Sequence, residues 1–196
     1  MNFAACGVTL FGQFFGISTP ITIVQMLWVN IIMDTLGGLA FAGEAPLGYY
    51  MKERPKSRDE KILTPQMLRR ILITGAYTLC MCVAFLKIPF FRSLFRVQNG
   101  DTAFLTGFYA LFIFAGIFNS FNTRSERLGL MHNIGKNKAF LVIMSAVSVI
   151  QLLMIYFGGA LFRCTPLTAR ELLTVVLLAA SVIPFDFFRR VAAKLA

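Results

Sequence analysis

Asp34 is the only charged residue between Met1 and Ala42, and Asn30 stands four positions before it. On an α-helix, residues at i and i+4 share a face, so the Asn30 amide oxygen and the Asp34 carboxylate project together. Oxygen donors of this kind suit a hard cation such as calcium, which takes about six to eight of them. The same pair also fits a second arrangement, a protonated Asp34 held by interhelical hydrogen bonds. Gly37 and Gly38 follow directly. They either ease an unwound segment whose carbonyls face an ion or let a neighbouring helix pack closely. The other reactive residue types form no constellation: Cys6, Cys80, Cys82 and Cys164 have neither CxxC nor zinc spacing, and His132 is a lone histidine in a polar loop.

Composition fixes the elements that must carry these residues. The chain has 196 residues, 57% hydrophobic and 14% charged, with a mean hydropathy of +0.71. A soluble domain has about a quarter of its residues charged and cannot hide this much apolar surface, which excludes a soluble enzyme. The net charge of +10 does not make a nucleic-acid binder, because the basic residues fall in short blocks between apolar runs rather than on a soluble surface offered to phosphate. The expected fold is all-α, a polytopic membrane helix bundle in the lipid bilayer.

Residues 1–42 as one helix would measure roughly 63 Å, about twice the hydrocarbon thickness, so they form two spans. The break is Ser18-Thr19-Pro20, with the proline placed to start the second helix. Together with the later apolar runs this predicts six spans, at about 1–17, 22–42, 68–88, 102–121, 139–158 and 169–188, in one domain over 1–196. The first span is expected to be truncated and preceded by a cytoplasmic part; it has no basic n-region or cleavage site of a signal peptide. Fourteen of the nineteen Lys and Arg residues lie on one side, between 52 and 70, between 124 and 138 and between 189 and 194. The positive-inside rule makes that side, and the C-terminus, cytoplasmic. Near mid-bilayer, Asp34 costs about 2.5–3.5 kcal/mol on insertion scales, so the fold must compensate it. Asp186, beside Arg189 and Arg190 at a helix end, is expected to be screened by water and those cations, so that neutralising it leaves function nearly intact.

The stretch Val24-Gln25-Met26-Leu27-Trp28-Val29-Asn30-Ile31-Ile32-Met33-Asp34-Thr35, with Ala42-Gly43-Glu44-Ala45-Pro46 after it, resembles the sixth membrane helix of P-type calcium ATPases, most similar to the plasma-membrane-type branch. Arg54-Pro55-Lys56-Ser57-Arg58-Asp59-Glu60-Lys61-Ile62-Leu63 resembles the loop before that family's seventh helix. Phe118-Asn119-Ser120-Phe121-Asn122-Thr123-Arg124 resembles the end of its eighth, and Phe157-Gly158-Gly159 the end of its ninth. The resemblance implies that the six spans are the family's fifth to tenth helices. It also implies that calcium ligands fall on Asn30, Asp34 and Asn2.

Three positions depart from the two-site sarcoplasmic pattern: Ala5 replaces a glutamate, Met33 a threonine and Gly116 an acid. The first two are usual in the plasma-membrane branch and imply one calcium site; Gly116 is less usual, since that branch commonly has glutamine there. These 196 residues hold no Asp-Lys-Thr-Gly-Thr phosphorylation motif, no nucleotide-binding region and no Pro-Glu-Gly segment of a fourth helix. The resemblance therefore implies that this is the ion-binding membrane part of an ATP-driven calcium pump, that ATP and magnesium act in missing cytoplasmic domains, and that the chain is inactive without its N-terminal half. Asn2, Asn30 and Asp34 supply at most about four oxygens, short of calcium's requirement. The alternative is a free-standing six-helix channel, carrier or accessory membrane protein of the same ancestry.

Overall fold

A computed structural model describes residues 2–14, 20–43, 63–97, 100–124 and 137–195. The regular elements are helices: α1 (Asn2–Phe14), α2 (Ile23–Asn30), a π-helical segment (Ile31–Leu36), α3 (Gly37–Ala42), α4 (Pro65–Lys87), α5 (Pro89–Ser93), α6 (Thr102–Arg124), α7 (Lys138–Phe157), α8 (Ala169–Ala180) and α9 (Val182–Leu195). Four stretches among the described residues are long and apolar enough to cross a membrane: α4, α6, α7 and Ala169–Ala192. The fold is the all-α membrane bundle that composition called for.

Helix starts follow local chemistry. Thr64 caps α4, with Pro65 in its first turn, where a missing N–H costs nothing. Thr168 and Glu171 form a reciprocal capping box at α8, satisfying two otherwise orphaned N–H groups. Pro20 does not start the second helix: α2 begins at Ile23, because Thr22 and Gln25 form such a box there. The last stretch is not one continuous helix either. It breaks at Ser181 between α8 and α9, three residues before Pro184, whose ring clashes with the carbonyl four residues back and lacks the N–H to bond it.

The bundle is built around α6, which is apolar on all sides and buried along most of its length, as a helix without a polar face must be. α8, α9, α7 and α4 pack on it, α1 packs on α4, and α3 packs on α7. Phe85 of α4 is fully buried and meets Phe104 at 5.0 Å, Phe91 at 5.5 Å and Phe95 at 5.7 Å between ring centroids. Gly107 admits the Phe95 ring at van der Waals contact; a Cβ there would overlap it. Outward faces of α4, α7 and α8 expose Ile71, Leu72, Val142, Val149, Leu153, Leu173 and Leu177, apolar surface that lipid covers. Cys80 is exposed and Cys82 buried, on different faces of α4.

Candidate ion-binding site

The span carrying Asn30 and Asp34 is three pieces rather than one α-helix. α2 ends at Asn30, Asp34 lies within the π segment, and α3 opens on Gly37 and Gly38. A π turn bonds i to i+5 and recurs at functional sites. The four-residue step from Asn30 to Asp34 therefore falls just short of a full turn instead of just past one. The sequence favours a break of the α ladder here: Ile31 and Ile32 crowd the preceding turn, and each glycine weakens a helix by about 1 kcal/mol. A Cβ added at Gly37 or Gly38 would meet nothing within 4 Å, so these glycines do not serve close packing among the described residues.

Asn30 is half-buried as a residue, but its Oδ1 is buried and has no hydrogen-bond partner among the described residues. Asn2 opens α1. The side chains of Asn2, Met33 and Asp34 lie outside the described residues, and with them the expectation that Asp34 and Asn2 face Asn30. Ala5 is fully buried in α1. Gly116 is buried in α6, and its carbonyl accepts a hydrogen bond from Ser120 Oγ at 2.9 Å; it offers no side-chain oxygen.

Two amides beside the site escaped the sequence reading. Gln25 is 3% exposed; its Oε1 accepts from Thr22 N at 2.9 Å and its Nε2 donates to the Phe162 carbonyl at 2.7 Å. Asn137 is 2% exposed; its Oδ1 accepts from Phe140 N at 2.8 Å and its Nδ2 donates to the Ala40 carbonyl at 3.2 Å. Thr22 and Gln25, three apart before an apolar run, carry a readable capping signal, but nothing local signals either distant carbonyl.

Asp186 corrects a second expectation. It is 1% exposed, bonded to Arg189 Nε at 2.7 Å and Arg190 Nε at 2.6 Å. Cations do surround it, but water does not, because α9 turns this face onto α6 and α4. Arg190 and Arg70 both donate to the Asn122 carbonyl, and Asn122 Nδ2 donates to the Val182 carbonyl at 3.1 Å. This knot joins α4, α6 and α9, and Asn122 is an interhelical hydrogen-bonding group.

Residues 18–192 match the family model described as cation transporting ATPase, C-terminus. The chain belongs to this family. Among curated relatives, calcium-transporting ATPase 10, plasma membrane-type, of Oryza sativa subsp. japonica is 33% identical over 95% of this chain and 18% of its own length. Calcium-transporting ATPase 12, plasma membrane-type, of Arabidopsis thaliana is 31% identical over 97% of this chain and 18% of its own. Calcium-transporting ATPase 2, plasma membrane-type, of the same plant is 34% identical over 79% and 15%. The chain thus spans less than a fifth of the length of these relatives. The family and the four apolar helices together make it a multi-pass integral membrane protein, and the resemblance read from residues 24–35 stands.

Proposed function

We propose that this chain is the ion-binding membrane part of an ATP-driven calcium pump, and that Asn30, Asp34 and Asn2 are its contribution to one calcium site. The observation that carries the reading is the buried Asn30 Oδ1, which has no hydrogen-bond partner among the described residues, one residue before a π segment that holds the only charge of its span. Buried acceptors are almost always bonded, and a cation supplies what this one lacks. An intramembrane carboxylate four residues on in the sequence needs the same compensation. The names of the relatives point to calcium as the ion.

In this reading the chain makes six spans, α1 and the α2–π–α3 piece joining the four long helices, and the excess of Lys and Arg puts the C-terminus in the cytoplasm. This chain's residues bind and orient calcium. The remaining oxygens, together with the ATP and magnesium that drive transport, belong to an N-terminal half. The test is Asn30→Ala in the intact pump. Loss of one coordinating oxygen raises the calcium concentration for half-maximal transport by about tenfold or more, at ~1.4 kcal/mol per tenfold. An unchanged half-saturation refutes Asn30 as a ligand.

A further inference from the structure

The ligand-bearing span is tied at both ends to the same neighbour by the same device. At its outer end, Gln25 Nε2 reaches the carbonyl of Phe162 at 2.7 Å, 137 residues along the chain, and the Phe162 ring meets Trp28 edge-on at 5.6 Å. Phe162 lies in the connection from α7 to α8, which is itself fixed. Thr165 N donates to Thr106 Oγ1 at 3.1 Å, Arg96 donates to the Pro166 carbonyl at 2.5 Å, and Tyr156 OH donates to the Leu167 carbonyl at 3.1 Å. At the inner end, Asn137 at the start of α7 donates to the Ala40 carbonyl of α3 at 3.2 Å, and Phe41 packs on Phe140 at 5.8 Å.

Each amide divides its work between its two polar atoms. The oxygen caps a helix start, α2 for Gln25 and α7 for Asn137; the nitrogen crosses to a backbone carbonyl of the facing element. Reversing either amide would set N–H against N–H and C=O against C=O, so the partners themselves fix which atom is which. Between the two ties lie Asn30, the π segment and the two open glycines, the part of the span with the weakest α-helical ladder.

We propose that Gln25 and Asn137 are positioning residues, which hold the two ends of the span that carries Asn30 and Asp34 against α7 and its following connection so that the ligand oxygens keep their spacing. The proposal rests on the reading of this chain as part of a calcium pump. It does not make either amide a ligand: both nitrogens and both oxygens are engaged elsewhere. A backbone segment pinned at both ends samples fewer conformations, and calcium binding then orders less of it. Releasing one end lowers calcium affinity while leaving the turnover of loaded pumps close to normal.

The test is calcium uptake by vesicles of the intact pump, reading the half-saturating calcium concentration separately from the maximal rate per pump molecule. Gln25→Met removes the outer tie. Asn137→Asp removes the inner tie and keeps the cap, because a carboxylate at a helix start still accepts from the first-turn N–H groups and stays ionised there. Thr22→Ala weakens the α2 cap while leaving the Gln25 nitrogen free to hold Phe162. The expected result is a half-saturation raised by about threefold to tenfold in Gln25→Met and in Asn137→Asp, with maximal rates within about twofold, and no such rise in Thr22→Ala. Should Gln25→Met fail to accumulate, Asn137→Asp decides alone. Half-saturation unchanged in the tie variants, or raised equally by Thr22→Ala, overturns the proposal. A wild-type pump that moves no calcium overturns the reading beneath it instead.

Discussion

Replacing Asp186 by Asn is expected to cost stability rather than ion affinity. The carboxylate sits at 1% exposure and accepts from two arginines at 2.7 and 2.6 Å. Asn keeps one acceptor oxygen but turns an N–H toward the second guanidinium. Arg190, 7% exposed, then keeps a buried positive charge that has lost its carboxylate partner while it still donates to the Asn122 carbonyl. Removing one partner of a buried ion pair costs about 3–5 kcal/mol, and the retained oxygen places this case near the lower end. At this chain length about 1 kcal/mol moves the thermal midpoint by about 2–4 °C, so the detergent-solubilised chain should melt about 6–12 °C lower. The control is Asp101→Asn, which breaks the 2.6 Å pair with Arg92 at 62% and 44% side-chain exposure. Exposed pairs contribute about 0–1 kcal/mol, so its midpoint should move by no more than about 4 °C. Midpoints followed by size-exclusion after heating would decide it, and equal shifts in the two variants would refute the reasoning from burial.

Gly107→Ala should destabilise by about 1–3 kcal/mol, because overpacking against Phe95 outweighs the usual helix gain from alanine. A raised melting midpoint would show that the ring yields. Burial pushes the Cys164 thiol from 9.0 up to about 11. The reactive thiolate is then about a hundredfold scarcer at neutral pH than in an ordinary thiol. In a variant with Cys164 as its sole cysteine, the alkylation rate should climb about tenfold per pH unit toward pH 11; a plateau near pH 9 would contradict this. If Asn2, Asn30 and Asp34 are its ligands as proposed, the isolated chain offers about four oxygens against calcium's six to eight and should bind calcium weaker than micromolar by calorimetry; submicromolar binding would reveal a further ligand within these residues.

What the sequence disclosed and what it hid separate along physical lines. A charge inside an apolar run is costly wherever it sits, so Asp34, and Asn30 one turn before it, stood out without any structure. The apolar run at about 102–121 likewise marked a span, but not its burial at the centre of the bundle. Gly37 and Gly38 mark a weak α ladder, but the π form that Ile31–Leu36 take was not legible, because its hydrogen-bond shift is a small difference between two ladders that these residues can both form. Asp186 misled because its neighbours in sequence were read correctly while burial was decided by α6 and α4, more than sixty residues away. Gln25 and Asn137 showed at most their capping oxygens, since the carbonyls their nitrogens reach lie 137 and 97 residues along the chain. No local pattern carries that pairing.

The central claim is that Asp34 is a calcium ligand, and it is tested most directly by uptake of radioactive calcium into vesicles carrying the intact pump, wild type against Asp34→Asn at matched expression. The substitution keeps the size and one oxygen but removes the charge that attracts a divalent ion in a low-dielectric site. The account predicts that uptake is abolished in Asp34→Asn. Uptake equal to wild type would contradict it.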